Sequence, residues 1–85
     1  MKLSIHAQDE FTEVRAKMLH SLDILEQLES MYHQDGDKAQ EAIVQQLHKL
    51  IVDTLTDIPE IRSFEDGLKL YKVLEVSKLT VTNLA

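Results

Sequence analysis

From Asp9 to His33 the chain runs without Gly or Pro and repeats its apolar residues at seven-residue intervals. Phe11, Met18, Leu25 and Tyr32 hold one heptad position, and Val14, Ser21 and Leu28 hold the position three residues further on. A helix over this stretch therefore presents one continuous seam. Leu22 borders the seam, while Ile24 and Met31, themselves seven apart, widen the stripe beyond what a contact with one helix requires. Leu19 adds an apolar position on another side, and Glu13, Lys17, Asp23, Glu26 and Glu29 mark a solvated remainder. Such a helix needs two neighbours, and the rest of the chain must supply or recruit them.

Gln34-Asp35-Gly36-Asp37 interrupts the pattern, since Gly36 tolerates the left-handed backbone that ends helices and Asp37 suits a fresh N-cap. Asp37 followed by Gln40 has the spacing of a capping box. The next segment places Ile43, Leu47, Leu50, Ile51, Leu55 and Ile58 at three- and four-residue steps, with Val44 and Val52 widening the stripe and Ala39 and Ala42 small enough for close helix approach. Pro59 restricts Ile58 to extended backbone and ends it. Ser63 before Glu65 and Asp66 reads as another N-cap, opening a third helix with Phe64, Leu68, Tyr71 and Leu74 or Glu75 as its stripe and Leu70 and Val73 to one side. Gly67 weakens that helix by up to ~1 kcal/mol relative to Ala.

The expected fold is all-α, a three-helix bundle in a single domain over residues 1–85. An antiparallel hairpin of helices at about 9–33 and 37–57 is joined by a shorter helix at 64–77, with 1–8 and 78–85 extended or disordered. Lys2 to His6 and the β-branched tail Lys78 to Leu84 both alternate polar and apolar, so short terminal β segments are the alternative. At 1.5 Å per residue the three helices span roughly 37, 30 and 20 Å, leaving the first helix incompletely covered.

Composition removes several function classes. The absence of Cys excludes disulfides and thiolate chemistry. A net charge of −6 argues against general phosphate-backbone binding. Residues 1–62 carry six Lys or Arg against twelve Asp or Glu and 63–85 carry three of each, so the last segment is the least repelled by an anion. No apolar run reaches the roughly 18 residues that span a bilayer, and Met1 to Gln8 lacks a signal-peptide core, so a soluble cytoplasmic protein is expected.

Catalytic and cofactor motifs are not found. The histidines, His6, His20, His33 and His48, form no i, i+4 pair, and His20 and His48 fall towards polar faces. His33, Asp35, Asp37 and Glu41 gather at one turn without the ligand order of an EF-hand, and turn plus helix cap accounts for the aspartates. The serines have no local base, and two glycines cannot build a phosphate loop. No enzyme activity, metal or cofactor is therefore expected. Lys69, Tyr71, Lys72 and Lys78 make the one candidate for anion contact, balanced by Glu65, Asp66 and Glu75, with Tyr71 expected on the core stripe.

What remains is a protein-protein interaction module that self-associates as a dimer, or binds and regulates a larger protein. Its expected contact surface is Leu19, Ile24 and Met31, with Met18 and Tyr71, the methionines serving as adaptable contacts. An acidic partner of this size suits a basic groove on an enzyme. A dimeric DNA-binding regulator reading with its third helix is an alternative, although Ile58 to Ser63 is longer than the usual helix-turn-helix link. The order of amphipathic helices ending in Leu68-Lys69-Leu70-Tyr71 resembles the small helical bacteriocin immunity proteins, from which the acidic balance departs. That resemblance implies an immunity-type or inhibitor role and transfers no individual residues.

Overall fold

The computed structural model describes residues 5–84, and within them three helices pack mutually: α1 (Ile5–Asp35), α2 (Lys38–Asp57) and α3 (Phe64–Thr82). The ladder His33–Glu41, Glu29–Gln45, Glu26–His48 and Arg15–Ile58 runs in opposite sequence directions, so α1 and α2 are antiparallel. Phe11 meets Phe64 and the Gly67 backbone, and Leu25 shares a cleft with Val81, so α3 runs parallel to α1. The result is a rod of 49 × 20 × 16 Å. Its radius of gyration, 14.3 Å, exceeds the roughly 12 Å of a compact chain this long, and the excess reflects α1, whose 31 residues outrun both neighbours.

Each turn follows from its residues. Gly36 has φ 72°, and the bonds Gly36 N–H to His33 O (3.2 Å) and Asp37 N–H to Tyr32 O (3.0 Å) form a Schellman end to α1. Asp37 then caps α2 by accepting from Gln40 N–H at 3.1 Å. The expected capping box is only half formed. Because the Asp37 amide is already committed to Tyr32, the Gln40 side chain has nothing to reach back to, and its Oε1 is buried without a partner. Ser63 caps α3 by accepting from Asp66 N–H at 3.2 Å, and Asp66 returns a bond to the Arg62 amide.

The α1 seam is the core. Phe11, Met18, Leu25 and Tyr32 are all buried, as the heptad pattern requires. Against them pack Val44, Leu47, Ile51, Leu55 and Ile58 of α2 and its C-cap, and Leu70 and Leu74 of α3. On α2 the inward frame is rotated from the expected one: Val44 is buried, Ile43 and Leu50 are exposed, and Ala39 and Ala42 face solvent rather than α1.

The tail differs most. Residues 78–82, expected to be extended, disordered or β-paired, complete α3, which is 19 residues and about 28 Å long. Leu70, Leu74, Ser77, Val81 and Leu84 follow a four-three repeat, so Val81 and Leu84 pack on the core and offset the modest helix cost of the β-branched residues. The threonines also adapt, since Thr80 and Thr82 hydroxyls donate back to the Val76 and Lys78 carbonyls at 2.8 and 2.7 Å. At the other end α1 begins by Ile5, four residues before the expected Asp9. The remainder of the proposed Lys2 to His6 strand lies outside the described residues.

One polar contact ties the far end of the hairpin. The Arg15 guanidinium donates to the Ile58 carbonyl at 2.7 Å, where α2 ends before Pro59 and its dipole is negative. Arg15→Met is expected to lower folding stability by about 1–2 kcal/mol in urea titration, the usual value of a partly buried, charge-assisted bond. An unchanged midpoint would deny Arg15 this role.

Candidate protein-docking site

The structure divides the expected contact surface. Met18 is 0% exposed and belongs to the core, because it holds the same heptad position as Phe11 and Leu25. Leu19, Ile24 and Met31 are exposed, but they do not form one flank. Leu19 lies five residues before Ile24, which places them about 140° apart around the helix. Ile24 faces α3, whereas the ladder between α1 and α2 leaves Leu19 on the α2 side, level with Leu55. Tyr71 is 47% exposed rather than in the core, and Phe64 and Leu68 of the same expected stripe are exposed with it. Two apolar frames compete on α3, and the inward one is that of Gly67, Leu70, Leu74 and Ser77.

Gly67 explains part of that choice. A Cβ at this position would collide with the Phe11 ring, so the missing side chain is what lets α3 approach α1 at its N-terminal end. Phe64 meets the same ring edge-on at 5.6 Å between centroids.

At the middle of the α1–α3 seam the small residues recur on both helices. Ser21 and Ser77 face a common space with Ile24, Leu25, Lys78, Val81 and Thr82, and between them lies an open cleft of about 240 Å³. Ser77 is 3% exposed. Of the three hydroxyls that line the cleft, two are turned to their own helix backbone: Ser21 donates to the Lys17 carbonyl at 2.9 Å and Thr82 to that of Lys78. Leu79, on the face of α3 turned away from the cleft, is 64% exposed, more than any other large apolar side chain described. Beyond the end of α3, Met31 continues the exposed row along α1.

Charge separates the two flanks of α1. Beside the cleft, Glu13 and Lys17 line a neighbouring hollow and Lys78 pairs with Glu75 at 3.5 Å, so acid and base balance. The α1–α2 seam instead gathers Glu26, Glu29 and Glu41 around His33 and Gln45. There His33 Nδ1 lies 2.8 Å from Glu41 and His48 Nε2 lies 3.5 Å from Glu26, exposed pairs that contribute little to stability. Among the described residues no three His, Asp or Glu side chains come together as a metal site would require, and Asp37 caps α2. No described helix is long and apolar enough to cross a membrane.

The lysines of α3 are dispersed. Lys69 and Lys72 sit with Asp57 and Asp66 on the α2 side, and Lys78 is on the α1 side. Tyr71 and its neighbours therefore do not build a continuous basic face. The fold and the cleft define a three-helix bundle with an uncovered apolar flank. Against known protein families, curated proteins and solved structures, the chain finds no match.

Val81, Ser21 and Ser77 are cleft residues that the sequence pattern does not assign to a site. The available signal was the four-three repeat from Leu70 to Leu84, which passes through Ser77 and so looks broken when only apolar residues are counted.

Proposed function

We propose that this protein is a non-catalytic, acidic helical interaction module of the cytoplasm that docks through the α1–α3 flank and thereby regulates a larger protein. The observation that carries the reading is the cleft at Ser21 and Ser77, with Ile24 exposed at its rim and Met31 continuing the exposed row along α1. Large apolar side chains around a concave, mainly apolar floor lose solvent when a partner side chain enters, and this is how small interfaces gain most of their affinity. The acidic α1–α2 flank complements this by steering the module towards a basic groove.

Affinity capture from the native host with wild-type protein and with Ile24→Lys/Met31→Lys checks the reading. Both positions are exposed, so the double variant should keep its helicity while losing at least about tenfold of any specifically captured protein. Equal capture by both proteins would move the docking site elsewhere.

A further inference from the structure

We infer that the outer face of α3 pairs antiparallel with the same face of a second copy of this chain, in a two-fold symmetric dimer. This surface is separate from the cleft, and the inference does not depend on the docking reading above.

Gly67, Leu70, Leu74 and Ser77 are buried, which fixes the side of α3 that points outward. At about 100° per residue, Leu68, Tyr71, Lys72, Glu75, Val76 and Leu79 all fall within about 70° of one line along that outward side. Four of the six are exposed apolar side chains, and the two leucines lie closest to the line.

Their order selects the occupant. From either end the face reads leucine, apolar flank, charge, charge, apolar flank, leucine, and the two central charges, Lys72 and Glu75, are of opposite sign. A two-fold axis at the level between Val73 and Leu74 therefore sets Leu68 against Leu79 of the second copy and Lys72 against its Glu75, each contact occurring twice. The four charges alternate in sign around the axis, with a leucine layer on either side. Tyr71 and Val76, on opposite flanks of the line, each approach their own counterpart across it. Other alignments lose this match: a parallel pair sets Lys72 on Lys72 and Glu75 on Glu75, and a slide of about one turn sets Leu68 on Glu75 or Leu79 on Lys72.

The wider charge distribution agrees. The net charge of −6 resides wholly in residues 1–62, with six Lys or Arg against twelve Asp or Glu, while 63–85 carry three of each. Two copies therefore repel least through α3. Glu75 lies 3.5 Å from Lys78 of its own helix, an exposed pair that a second cation can join.

Sedimentation equilibrium on the intact chain tests the arrangement. Wild type should dimerise with a Kd of about 100 µM or below, as suits a small interface. Lys72→Glu and Glu75→Lys should each weaken the dimer by about tenfold or more, since two attractive contacts become two repulsive ones. The exchange Lys72→Glu/Glu75→Lys should restore it, because only the antiparallel register pairs these two positions. Leu79→Lys should weaken it by about 100-fold, the interface losing two leucine contacts and desolvating two ammonium groups. Val52→Lys, at an exposed apolar position on α2, should leave it intact. Circular dichroism and urea midpoints establish that each variant is folded. A wild type that stays monomeric to about 1 mM, whether or not a different protein binds at Leu79, overturns the inference. So does a dimer that the single charge reversals leave unchanged or that the exchange fails to restore.

Discussion

Ser77→Pro is expected to cost about 3 kcal/mol or more of folding stability. A helix ending at Val76 or Ser77, as the turn-and-strand character of the tail suggests, would accept proline at this point with little penalty. In the structure Ser77 lies five residues inside the end of α3 and is almost wholly buried. Proline there removes the amide bond to the Val73 carbonyl and drives its ring into that carbonyl, while Val81 and Leu84 lose their place on the core. In equilibrium urea unfolding the midpoint should fall steeply, with a drop in helical ellipticity beforehand if the tail separates first. A change below about 0.5 kcal/mol, the range of ordinary surface substitutions, would return residues 78–82 to the unstructured tail first expected.

Gly67→Leu should be the second most costly change, and its sign opposes helix propensity. Leucine is the better helix former by about 0.6–1 kcal/mol. Yet even the Cβ collides with the Phe11 ring, so the ring must leave its buried position between Gly67 and Phe64. Ejecting it costs most of what Phe11→Ala would, about 3–5 kcal/mol, leaving a net loss of about 2–4 kcal/mol. A double-mutant cycle isolates the cause: in a Phe11→Ala background, Gly67→Leu should be neutral or stabilising. Equal cost in both backgrounds would show that Gly67 has another role.

The physics of these two sites also explains how far the fold can be read from residues alone. The α1 seam was legible because four large apolar side chains recur at one interval, and both turns were legible because Gly36, Asp37, Pro59 and Ser63 each constrain the backbone locally. Frame selection on α2 and α3 was not. Ile43 and Leu50 are as apolar as Val44 and Leu47, and Phe64 and Leu68 as apolar as Leu70 and Leu74, so the choice fell to tertiary terms such as the Phe11 contact at Gly67. The tail was misread because a β-branched alternation over five residues mimics a strand, whereas the core contacts of Val81 and Leu84 act only once α1 is in place. For the site, Ile24 and Met31 stand on the proposed flank. Leu19 lies on the other side, Met18 is interior, and the cleft itself depends on two serines that an apolar count passes over.

The central claim is the proposal that this protein docks through the α1–α3 flank at Ile24. Amide chemical shifts of the labelled protein followed while the captured partner is titrated in test it most directly, because they report association and its location together. The changes should concentrate around Ile24, Ser77 and Val81, with Val52 to Asp57 unmoved. Changes centred on Glu26, Glu29 and Glu41, or shifts that do not respond to the partner, would contradict it.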